Sequence, residues 1–182
     1  MAEALGSHSQ LIAWQIDSGV GGHTTEFSFN DETKRDWHAW LKAKHETIDK
    51  LNENMGTRFW GQSVQEWEDV PLPRTAPTVH NPALVLDWMR FSSDTIVAFI
   101  GMQSELLKTI TPNVPVTTMM RALSRHYDHF DAADQLDFVS LDSYATIKSK
   151  AAVNAMDIDI LRSIKKSNIK TPDGSDYGFW VM

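Results

Sequence analysis

Asp17-Ser18-Gly19-Val20-Gly21-Gly22-His23 places a carboxylate, a hydroxyl and an imidazole around one glycine-rich turn. A serine nucleophile needs a base beside it and loop amides to hold an oxyanion, so Ser18 with His23 is a candidate for esterase-type chemistry. The segment is not a G-x-S-x-G elbow, however, and Asp17 and Ser18 point in different directions on one local turn. Asp17 and Asp142 each follow an apolar run, where a carboxylate can serve as acid or base; for Asp17 the plainer use is to accept hydrogen bonds from loop amides. His126, Asp128, His129 and Asp131 are residue types that suit zinc, yet they contain no helical His-x-x-x-His pair. Trp60, Trp67 and Tyr144 offer flat apolar faces with polar edges, which is what a sugar ring needs from a platform. Trp37, Trp40 and Trp88 recur at helical spacing and are expected in the core instead.

These residues need elements to hold them. The run 11–16 is apolar and closes at the glycine-rich turn, as a strand buried on both faces does. Asn30 or Asp31 can cap a helix reaching to about Glu53, with Trp37, Trp40, Leu41, Ile48 and Leu51 on its buried stripe and charge on the opposite, solvated face. Residues 56–80 show neither period, and a loop of that length inside a compact domain is functional or hides an element. Asn81-Pro82 opens a second long helix, whose buried face is expected to be Leu84, Trp88, Phe91, Thr95, Ala98, Met102 and Leu106, with Pro112 just past its end. Runs at 114–120, 136–141 and 178–182 read as three further buried strands, with a helix around 157–166 between the last two. Strands alternating with helices predict βα units and a parallel sheet.

The 182 residues are expected to form one domain, and the chain holds no cysteine, which excludes disulfides, thiolate metal sites and thiol catalysis. A net charge of -7 without a basic cluster excludes nucleic acid as a partner. No apolar run approaches the roughly 20 residues that span a bilayer, and Glu3 stands where a secretory leader carries a base, so a soluble cytoplasmic chain is expected. No cofactor and no metal are expected.

A complete eight-stranded βα barrel needs about 250 residues, so a chain of this length has room for about half of one. Trp14-Gln15-Ile16-Asp17 followed by Gly21-Gly22-His23 resembles the WQIDNEYGGH segment that ends the fourth barrel strand of glycoside hydrolase family 42 β-galactosidases. The resemblance continues through Trp40-Leu41-Lys42, Gly56-Thr57-Arg58-Phe59-Trp60, Asn81-Pro82, Asp87, Arg90-Phe91 and Leu136-Asp137-Phe138-Val139-Ser140, and Phe179-Trp180-Val181-Met182 is similar to the seventh strand. It implies a partial (β/α) TIM-type barrel of about four parallel strands with flanking helices, descended from enzymes acting on terminal β-galactosides.

The same resemblance implies that the chemistry is silent. Gly19 takes the place of the family's acid/base glutamate and Ser18 that of the neighbouring asparagine, while the nucleophile would follow Met182. Leu141 and Ser143 replace Trp and Asn of the segment SWDNYP, and Met119 replaces an asparagine. Trp60 and Tyr144 match family residues at the sugar, and with Ser18 they are the expected substrate contacts. The expectation is therefore a β-galactosidase-like hydrolase fragment, inactive alone, with a non-catalytic carbohydrate-binding or degenerate barrel fragment as the alternative reading. The two outer strands and an inner trough lined by Val116, Phe138 and Phe179 are expected to drive homo-oligomerisation.

Overall fold

The computed structural model describes residues 1–22, 27–122, 124–143, 145–146, 150–164 and 180–181. They divide into two compact units, one made of 1–24 with 94–182 and the other of 25–93.

The first unit carries the sheet. Strand β1 (Trp14–Gln15) pairs in parallel with β2 (Val116–Thr117), and β3 (Met119–Met120) pairs in parallel with β4 (Ser140–Leu141), which pairs with β5 (Trp180–Val181). Only Thr118 separates β2 from β3, and its hydroxyl donates to the Ile16 carbonyl at 2.6 Å. The pairs therefore run in chain order, all parallel, which is how consecutive strands of a (β/α) barrel are laid down. The regular pairing is only two residues long on each strand, much shorter than the apolar runs.

Hydroxyls tie the strands across their buried surface. Thr117 donates to the Phe138 carbonyl at 2.8 Å, and Ser140 to the Thr118 carbonyl at 2.8 Å. Each hydroxyl keeps a partner in a place where an unpaired one would be costly. Val116 and Phe138, expected to line an open trough, are fully buried instead.

Among its described residues this unit has four helices: α1 (Ala2–Leu5), residues 94–110 of α4 (Pro82–Ile110), α5 (His129–Asp134) and α6 (Ala151–Ile164). Trp14, Ile100, Val116, Met120, Val139, Leu141 and Leu161 share its core. The expected stripe on α4 holds at Leu84, Trp88 and Phe91 but fails further on: Met102 and Leu106 are about 60% exposed, whereas Ile100 is fully buried and Ser104 nearly so. Apolar residues cover both sides of this half of the helix, so hydrophobicity alone selects neither.

In the 25–93 unit the single helix expected up to Glu53 is two, α2 (Asp31–His45) and α3 (Ile48–Met55). The break has a local cause. Glu46 turns into a positive φ of 64°, and the Thr47 side chain then caps α3 by accepting from the Lys50 amide at 3.2 Å. Asn30 caps α2 through the Thr33 amide, and Asn81 caps α4 through the Ala83 amide, both as expected.

The core of this unit is aromatic. Trp37 meets Trp88 edge-on at 5.4 Å and stacks on Trp40 at 5.6 Å, with Phe91 also against it. Beside this cluster the buried Asp87 carboxylate accepts from His45 at 2.8 Å and pairs with Lys44. The loop 56–80 is pinned rather than loose: the Asn52 amide both donates to and accepts from the backbone of Val64, at 2.9 and 3.0 Å. Trp67 packs against this core, with the Lys42 ammonium over its ring.

Candidate functional site

The turn after β1 is shaped by its backbone. Asp17, Gly19 and Gly21 all have positive φ, at 50°, 71° and 69°. A non-glycine residue pays about 1–2 kcal/mol there, which short polar side chains offset with local hydrogen bonds. Asp17 does so: its Oδ1 accepts from the Ser18 amide at 2.6 Å, the role its loop position suggested. The Gly22 amide donates to the Gly19 carbonyl at 2.9 Å and closes the turn. At Gly21 a Cβ would lie 2.8 Å from Ile96 and 3.3 Å from His126, so the loop approaches its neighbours more closely than a side chain permits.

This turn forms one wall of a cavity of about 440 Å³. Gly19, Val20 and Gly22 line it from beyond β1, Arg121, Ala122 and residues 124–127 from beyond β3, Asp142 from beyond β4, and Asp157 from α6. The cavity therefore lies past the carboxyl ends of the parallel strands, the end at which βα barrels place their active sites.

Its electrostatics are polarised. Arg121 and Arg125 stand on the loop next to the glycine turn, and Arg121 Nη1 lies 3.9 Å from where a Gly22 Cβ would be. The acids Asp142 and Asp157 belong to the next strand end and to the helix that follows it. Burial pushes the Tyr127 phenol up to about 12, against a hydrogen bond from the Arg121 backbone and the Arg121 charge, so it stays protonated at neutral pH. Asp157 Oδ1 is buried and has no hydrogen-bond partner among the described residues.

The residues singled out in the sequence do not converge on one point. Gly19, His126 and Asp142 line the cavity, whereas Ser18 does not. Trp60 lies in the 25–93 unit, 80% exposed and at a φ of 56°, stacked on Phe59. Tyr144, His23 and Phe179 lie outside the described residues. The suspected metal cluster serves local structure: Asp128 caps α5 through the Phe130 amide at 2.8 Å, and the His129 ring bonds the Arg121 carbonyl at 2.8 Å. Arg121, Tyr127 and Asp157 were not singled out by sequence reasoning. Arg121 could have been, since it directly follows a strand end; Asp157 sits mid-helix and gives no such signal.

Chemically, the cavity offers cationic donors, a protonated phenol and carboxylates, but no carboxyl group at Gly19. A retaining glycosidase requires two carboxyl groups about 5 Å apart across the bond to be cleaved, and a glycine contributes neither proton nor charge.

Relatives place this geometry in a family. A β-galactosidase named LacZ from Heyndrickxia coagulans is 36% identical over 167 residues, covering 91% of this chain and 25% of that protein. The bgaB β-galactosidase of Geobacillus kaustophilus is 34% identical over the same length. Among solved structures, the β-galactosidase of the psychrophilic Marinomonas ef1 superposes with a TM-score of 0.84 at 25% identity, covering all of this chain and 29% of its own. The chain thus spans about a quarter of the length of the curated relatives it matches. Residues 1–172 match the glycoside hydrolase family 42 sequence family described as Beta-galactosidase, and the chain belongs to that family as an open segment of its (β/α) barrel.

Proposed function

We propose that this chain recognises terminal β-galactosides without hydrolysing them on its own. The observation that carries this reading is Gly19: it lines the cavity at the strand ends, at the position that aligns by motif with the family's acid/base glutamate. Loss of a general acid alone typically lowers a rate by orders of magnitude. By motif, Trp60, Tyr144 and Ser18 are the sugar contacts of this reading, with residues 1–182 taken as one barrel-derived domain.

Two further elements belong to the same reading. The outer strands β1 and β5 make the chain a homo-oligomer through exposed barrel edges, since open edges recruit other strands. Its location is cytoplasmic; among the described residues no helix is long and apolar enough to cross a membrane.

The test pairs turnover with binding on the purified chain. Chromogenic aryl β-galactoside is expected to release no aglycone above a boiled control, while galactose perturbs tryptophan fluorescence or amide NMR signals saturably. Steady aglycone release would overturn the silent-chemistry part, and absence of any sugar effect would overturn recognition.

A further inference from the structure

The polarity of the cavity says more about its ligand than the family does. Its cationic side is the loop beyond β3, where Arg121 reaches over the Gly19–Gly22 turn. Arg121 is an exposed residue and forms no ion pair with a described acid. A guanidinium in a concave site, next to a Gly19–Gly22 stretch without a carboxylate, is a receptor for an anionic oxygen group, which it can grip with two parallel N–H donors.

The other side has the opposite requirement. Asp142, half-buried just past β4, lines that side with a carboxylate. A carboxylate there accepts from an O–H or N–H group arriving from within the cavity. Asp157 on α6 adds a second negative charge on the same side. A ligand that satisfies both sides therefore carries an anionic group at one end and hydroxyl donors at the other. The cavity, at about 440 Å³, is large enough for a single sugar ring, since small-molecule sites begin at roughly 300 Å³.

We propose that this cavity selects an acidic sugar, a galactoside-like ring bearing a carboxylate, with Arg121 holding the carboxylate and Asp142 accepting from a ring hydroxyl. This rests on the sugar-recognition reading above and narrows it from neutral to anionic galactosides. The glycine turn contributes by what it omits: a carboxylate at Gly19 would neutralise Arg121 and repel the ligand's own charge.

The experiment titrates the full chain with galacturonate, galactose and acetate, following amide NMR shifts in low-salt buffer. Galacturonate is expected to bind about tenfold more tightly than galactose, the scale of one charge-assisted contact. Arg121→Gln should abolish that preference, and Arg121→Lys should retain part of it. Asp142→Asn should weaken both sugars. Arg121 is exposed, so its two variants are expected to fold as the parent does. Equal affinities for galacturonate and galactose would overturn the acidic-sugar proposal and leave sugar recognition standing; binding of neither would overturn both. Acetate matching galacturonate would also overturn it, because the site would then hold an ion and not a sugar.

Discussion

Trp37 and Gly19 sit at two extremes of one chain. Trp37 is fully buried, with Trp88, Phe91 and Trp40 rings 5.4 to 5.6 Å from its own, so its place is set by packing from several sides. Gly19 has no side chain to pack, and its place is set by a left-handed backbone and by the hydrogen bond from Gly22. Gly19 belongs to a segment that resembles the family yet lacks that segment's functional side chain, whereas Trp37 is itself the side chain on which its surroundings pack. A framework held by interdigitating rings loses stability with each ring removed, whereas a turn held by backbone conformation can lose its functional side chain and remain folded. The family's architecture can therefore outlast its acid.

Truncating the ring is the strongest way to break that contrast. Trp37→Ala is expected to lower unfolding free energy by about 4 kcal/mol, because the void left by a fully enclosed indole cannot collapse among rigid aromatic neighbours. Urea unfolding followed by far-ultraviolet circular dichroism measures it. A loss below about 1 kcal/mol would mean that the cluster repacks easily and that the framework is not set by its rings.

Much of this framework was legible in the sequence because it rests on short-range rules. Asn30 and Asn81 announce helix starts through their side-chain oxygens, and Trp37 and Trp88 fall at helical spacing on apolar faces. The apolar runs gave the parallel strands and their order. What was not legible depended on through-space choices. The Glu46 break requires a left-handed residue that no glycine marks. The cavity was harder still: Arg121, Tyr127 and Asp157 come together only because successive strand ends and α6 converge, and no spacing in the chain encodes that.

Restoring a carboxylate sharpens the comparison from the other side. Gly19→Glu is expected to lower stability by about 1 kcal/mol, since Gly19 occupies a φ of 71° where a β-carbon crowds the backbone. It should also leave aryl galactoside turnover absent, because a general acid needs a second carboxyl group to support the glycosyl centre. Gly19→Asn, which tolerates this conformation better, should be the milder change in the same unfolding assay. If the glutamate variant were as stable as the parent, the turn would have shifted to a right-handed form, and Gly19 would be a casual loss rather than a backbone requirement.

The smallest expected effect tests which face of α4 belongs to the core, the point on which hydrophobic pattern misled. Met102 was expected inside with Thr95, Ala98 and Leu106, yet it is 59% exposed, while Ile100 is fully buried. The neighbouring Gly101 shows why the helix faces this way: a Cβ there would lie 2.7 Å from the Gln135 side chain, so that side approaches the rest of the unit closely and the Met102 side does not. An amide replacing an exposed thioether keeps its water contacts in the folded and unfolded chain alike. Met102→Gln should therefore change unfolding free energy by no more than about 0.5 kcal/mol, with the same substitution at Ile100 as the disruptive control. A clear loss at Met102 would show that its face is covered in solution. A loss that grew with protein concentration would identify the cover as a second copy of the chain, because stability shared across an interface depends on protomer concentration.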